Sequence, residues 1–79
     1  MTTRKEQDEY IEQLWHMKEE GETSIDFLES ALNNIFNIAV VKELFYLGLV
    51  DLSKNARDVK LTEKGEAKAR HLIRAHRLA

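Results

Sequence analysis

The chain has 79 residues, no cysteine, no proline and a formal net charge of −2. A chain of this length forms one domain with a small core, and the missing cysteine excludes both a disulfide and a thiolate metal site. No apolar run approaches the ~20 residues that a membrane span needs, and the charged residues 1–10 lack the apolar segment of a signal peptide. These features predict a single cytoplasmic domain with no membrane partner.

Charge is divided unevenly along the chain. Residues 1–50 carry four Lys/Arg against ten Asp/Glu, a net of −6, whereas residues 51–79 carry eight against four, a net of +4. A basic half predicts a surface for a polyanion such as nucleic acid, although ordinary solvated helix faces would give the same division.

Helical periodicity dominates the first half of the chain. Apolar residues at helical spacing predict an amphipathic helix over about residues 5–20, which Gly21 ends. Thr23 and Ser24 are N-cap residues for a short second helix that ends at about residue 32.

A third helix and a hairpin follow. Asn33-Asn34 forms the next break, a third helix covers about residues 35–47, and Gly48 stops it. Alternating apolar and polar residues then predict a hairpin over about residues 49–61, which is basic over about 53–60, and Thr62 caps a last helix. The order helix, helix, helix, hairpin, helix predicts a mainly α fold with a small β-hairpin, the winged helix-turn-helix, with the helix-turn-helix at about 24–47.

Four stretches resemble bacterial winged-helix regulators, and two of them narrow the resemblance to one family. Residues 44–50 (LFYLGLV) and 59–65 (VKLTEKG) are similar to the recognition-helix end, wing and last-helix start of many bacterial winged-helix regulators. Residues 9–15 (EYIEQLW) and 74–79 (RAHRLA) resemble the metal-dependent repressors of the diphtheria toxin repressor and manganese repressor type. The resemblance implies a domain of a bacterial or archaeal transcriptional regulator that binds double-stranded DNA as a homodimer. In that family the domain continues into a dimerisation helix, so we expect either a piece of a longer regulator or a stand-alone N-terminal domain.

The resemblance also implies metal ligands. Glu9 and Glu12 match the acidic pair on the first helix of the family, and His76 matches its histidine before the dimerisation region. Carboxylate and imidazole suit Mn or Fe(II), and Glu9 and Glu12 share a helix face. The remaining family ligands would lie beyond residue 79, so the set is incomplete. A solvated acidic face with a surface histidine is the simpler interpretation, and we expect no tightly held cofactor in the chain as it stands.

The predicted third helix, the recognition helix of the family, is unusually apolar for a helix that contacts DNA. Its core-facing residues should be Val41, Leu44 and one of Asn37 or Ile38. Exposed apolar residues are expected at Phe36 and at either Ile38 or Val40, unless the helix packs in a rotated register. The candidate DNA contacts are Asn33, Asn34, Phe36, Asn37, Lys42, Lys54, Asn55 and Arg57.

Two functions follow from these features. The first is DNA binding through the recognition helix and the basic wing. The alternative is a protein-interaction or dimerisation module that uses the apolar third helix and binds little or no specific DNA. An enzyme is not predicted, because the sequence has no Gly-rich phosphate loop, no cysteine nucleophile and no histidine with a plausible nucleophile beside it.

Overall fold

The computed structural model describes residues 3–55 and 57–78, and in the last helix it describes side chains as far as Arg74. These residues form four α-helices and two strands: α1 (Arg4–Glu19), α2 (Ile25–Leu32), α3 (Ile38–Tyr46), β1 (Val50–Leu52), β2 (Val59–Leu61) and α4 (Glu63–Leu78). A single 3-10 turn, Asn33–Ile35, lies between α2 and α3. The predicted class, mainly α with a small antiparallel hairpin, is confirmed.

Two glycines end helices as predicted. Gly21 and Gly48 have φ angles of 74° and 75°, which glycine adopts without steric cost. After α3, the N–H of Gly48 donates to the carbonyl of Phe45, and the N–H of Leu49 donates to that of Leu44, both at 3.0 Å. This Schellman arrangement pairs carbonyls that the helix leaves without partners. It also turns the buried Leu49 into the core, immediately before β1.

Polar side chains fix where the helices begin. Ser24 caps α2 by accepting from the N–H groups of Asp26 and Phe27. Asn37 caps α3 in the same way, through the N–H of Ala39 at 2.9 Å. The prediction that the third helix begins at about residue 35 is therefore wrong, because the chain first forms the 3-10 turn and then restarts as a helix at its cap.

The hairpin is attached to the loop between α1 and α2. Its strands pair in the register Val50↔Leu61, Asp51↔Lys60 and Leu52↔Val59. On the other side of β2, the N–H of Val59 donates to the carbonyl of Thr23, and the N–H of Ile25 donates to that of Arg57, both at 2.8 Å. The loop thus adds a short third segment to the sheet and holds the hairpin beside the start of α2.

One apolar core joins all of these elements. It is formed by the inward sides of α1, α2 and α3, by the strands and by α4. Its buried members are Tyr10, Ile11, Leu14, Met17, Ile25, Leu28, Val40, Val41, Leu44, Leu49, Val50, Val59, Leu61 and Ala69. Trp15, Leu32, Phe36, Leu52 and Leu72 pack against it from partly buried positions.

The phenol of Tyr10 connects α1 to the segment that precedes α3. Its side chain is buried, and its ring stacks on that of Phe36 with centroids 6.2 Å apart. The hydroxyl donates to the carbonyl of Ile35 at 2.7 Å and accepts from the N–H of Asn37 at 2.6 Å. Burial raises the pKa of Tyr10, although the bond from Asn37 lowers it, so the hydroxyl remains protonated and able to donate at neutral pH. A side chain of α1 therefore fixes the point at which α3 begins.

Replacing Tyr10 with Phe should lower the free energy of unfolding by about 1–3 kcal/mol, because the N–H of Asn37 and the carbonyl of Ile35 lose a buried partner. The matched control is Tyr46→Phe, which removes the same atom from a residue that is 87% exposed. We expect the control to change stability by less than about 0.5 kcal/mol. Urea denaturation measures both variants, and equal stabilities would contradict the role given to Tyr10.

Gly65 lies where α4 packs against the chain that leaves α3. A Cβ atom at this position would overlap the carbonyl oxygen of Leu49 and would lie 3.0 Å from Cδ2 of Leu61. The same carbonyl accepts the N–H of Thr62 at 3.0 Å, which restricts its movement. The glycine in the LTEKG segment is thus required by a close approach of two backbone segments.

The variant Gly65→Ala should be less stable than the wild type by about 1–3 kcal/mol, because α4 must move away from Leu49. Helix propensity alone predicts the opposite sign, a gain of about 1 kcal/mol for Ala over Gly. The variant Ala67→Gly, at an exposed position of the same helix, measures that propensity separately. A melting temperature for Gly65→Ala above that of the wild type would mean that the close contact with Leu49 does not determine the stability at this position.

Candidate functional site

The outward side of α3 is apolar, with one cation at its centre. The helix buries Val40, Val41 and Leu44. Its exposed residues are Ile38, Ala39, Lys42, Phe45 and Tyr46, which we call the α3 face. At about 100° of rotation per residue, Lys42 lies in the middle of this set. The remaining charged residue of α3, Glu43, is half-buried, and its Oε1 lies 3.5 Å from Nε2 of Gln7.

Two expectations about the third helix require correction, and a third, that either Ile38 or Val40 is exposed, is confirmed by Ile38. Phe36 is not an exposed residue of this helix, because it precedes α3 and packs half-buried on the ring of Tyr10. Neither Asn37 nor Ile38 faces the core, since Asn37 is the N-cap and Ile38 is 38% exposed. Val40 occupies the core position instead. The position of Phe36 differs from the expected one because its ring stacks on Tyr10 of α1, in the non-helical segment before α3.

The asparagines predicted to contact DNA lie in and after the turn that precedes α3. Asn33 and Asn34 are exposed, and Asn33 has a positive φ of 51° that ends α2. Asn37 is also exposed, but its Oδ1 already accepts from the N–H of Ala39. A DNA contact by Asn37 would therefore use its amide nitrogen or the remaining lone pair of its oxygen.

The described residues of the hairpin tip, 53–55 and 57, are held by the hydroxyl of Ser53. This hydroxyl donates to Oδ1 of Asn55 at 2.9 Å and accepts from the N–H groups of Arg57 and Asp58, both at 3.1 Å. Asn55, a predicted DNA contact, therefore also stabilises the tip. Sequence reasoning missed Ser53, although Ser and Asn side chains commonly bond nearby backbone groups in turns.

Two cations of this tip are available to an anion. Lys54 and Arg57 are exposed, and among the described residues neither forms an ion pair, as is also true of Lys42. The carbonyl of Arg57 accepts the N–H of Ile25, so the backbone at this cation is held against the start of α2. A phosphate could bind Lys54 and Arg57 without first breaking an internal salt bridge.

The residues matched to metal ligands do not form a site within the described part of the chain. Glu9 and Glu12 lie one turn apart on α1, with Glu9 exposed and Glu12 half-buried. His76 lies outside the described side chains. Among the side chains that are described, no group of three His, Asp or Glu residues is close enough to hold a metal ion. The described side chains include only two of the three predicted ligands, and the incomplete Mn or Fe(II) set stays a prediction.

None of the described helices is both long enough and apolar enough to cross a bilayer.

Comparison of the chain with protein-family models, curated proteins and solved structures finds no match. Function is therefore inferred from the residues and their arrangement.

Proposed function

We propose that the chain is a winged-helix DNA-binding domain of a transcriptional regulator similar to the diphtheria toxin and manganese repressors. In this proposal α2 and α3 form the helix-turn-helix, α3 is the recognition helix and the hairpin is the wing. Three features support it: the order of the elements, the resemblance of four stretches to winged-helix regulators (two of them to this family), and the pairing of Ser24 with Asp58, next to β2.

The observation that carries the proposal is a set of three exposed cations on adjoining elements. Lys42 lies on α3, and Lys54 and Arg57 lie on the hairpin that starts four residues after α3 ends. None of the three forms an ion pair among the described residues. Lysine and arginine contacts with phosphate supply most of the affinity in nonspecific DNA binding, so these residues suit a duplex partner.

The second candidate is a homodimer formed through the α3 face, which the exposure of Phe45 and Tyr46 favours. In a two-fold symmetric dimer, the residue at the centre of the interface meets its own copy. That residue would be Lys42, and two ammonium groups would be desolvated against each other at a cost in free energy. A duplex has no such penalty, because its phosphates attract the same cation. DNA is therefore the better partner for this face.

Replacing Lys54 and Arg57 with Ala should weaken binding to all duplex sequences alike. The slope of log affinity against log salt should become shallower by up to about two, since each phosphate contact contributes about one unit. Fluorescence anisotropy over a series of salt concentrations measures this slope.

The charge-matched control is the pair Arg70→Ala and Arg74→Ala. These exposed cations of α4 border a groove that Trp15 and Glu19 of α1 also line, away from the hairpin tip. We expect the control pair to retain the wild-type slope. If both double variants lose the same affinity, binding depends on net charge and the wing is not a contact.

A further inference from the structure

The first turn of α3 presents apolar atoms where a DNA-reading helix usually presents hydrogen-bonding groups. Ile38 and Ala39 are its first two residues, and both are exposed. The nearest polar side chain, that of Asn37, uses its oxygen to cap the helix, and the N–H of Asn37 is bonded to Tyr10. Hydrogen bonds from this turn to base edges are thus restricted by the residues that build the turn.

One feature of the major groove matches such a surface. The 5-methyl group of thymine is the apolar feature of the base edges in the major groove, and apolar side chains contact it in DNA complexes. In helix-turn-helix proteins, the first residues of the second helix are those that reach base edges. Ile38 and Ala39 have both the position and the chemistry for this contact, and Lys42 lies one turn further along the same face.

We propose that Ile38 and Ala39 recognise thymine 5-methyl groups in the major groove and that the domain therefore prefers thymine-rich duplexes. This inference rests on the proposed DNA-binding function. Phe45 and Tyr46 lie on the last turn of α3 and are not part of the methyl contact.

Substitution of deoxyuridine for thymidine tests the contact directly. Two duplex libraries of identical mixed sequence, one with thymidine and one with deoxyuridine, differ in the 5-methyl groups and keep the same base pairs. The wild type should bind the thymidine library more tightly, by about fourfold for each methyl group that it buries. A third library, in which 5-methylcytosine replaces cytosine, should bind more tightly than its unmethylated counterpart.

Two variants on the same face make the test specific. Ile38→Ala should bring the thymidine-to-deoxyuridine affinity ratio close to one, and circular dichroism should show an intact fold because Ile38 lies outside the buried core. Phe45→Ala is the matched control, since Phe45 is similarly exposed, at 46%, but lies on the last turn. The thymidine-to-deoxyuridine affinity ratio of Phe45→Ala should equal that of the wild type.

The possible failures are distinguishable. Salt-dependent binding with equal affinity for the thymidine and deoxyuridine libraries would overturn the methyl contact and leave the DNA-binding function intact. A preference that persists in Ile38→Ala but is lost in Phe45→Ala would also overturn the assignment to the first turn. Failure of the wild type to bind any library would overturn the DNA-binding function and this inference with it.

Discussion

The hydroxyl of Tyr10 bonds the backbone on both sides of Phe36, and the geometry of α3 depends on this interaction. It accepts from the N–H of Asn37 and donates to the carbonyl of Ile35, while its ring packs on Phe36. Because both bonds are partly buried, removing the hydroxyl would leave two backbone groups without this partner. The restart of the helix after Asn37 then directs Val40 inward and leaves Ile38 exposed.

Local signals were sufficient to predict most of the elements, and non-local contacts explain the errors. Gly21 and Gly48 end helices because their φ angles are positive, a preference that glycine carries in any sequence. The start of α3 has a local cap in Asn37, but the segment before it is also held by Tyr10, which lies 27 residues from Asn37 along the chain. Periodicity also assigned Phe36 to the helix, because apolar residues on a helix and in the turn before it look alike in sequence.

The candidate site was only partly predictable, because some of the bonds that support it depend on the path of the chain rather than on local sequence. Lys54 and Arg57 follow from their charge and their place at the tip of the predicted hairpin, and both are exposed. The supporting bonds from Ser53 depend on the path of the loop, which composition does not specify. The net charge of −2 is a weak guide to this surface, because exposed charges act mainly within a Debye length of ~8 Å at physiological salt. An acidic α1 and a basic hairpin tip are therefore compatible in one small domain.

The central claim is that one surface, composed of α3 and the hairpin tip, meets a DNA duplex. Titration of the isotopically labelled chain with a short thymine-rich duplex, followed by backbone amide NMR spectra, tests it most directly. We expect shift changes at Ile38, Ala39, Lys42, Lys54 and Arg57, which reverse at high salt, and unchanged signals along the exposed side of α1. Shifts confined to α1 and α4 would contradict it, as would concentration-dependent changes on the α3 face without DNA.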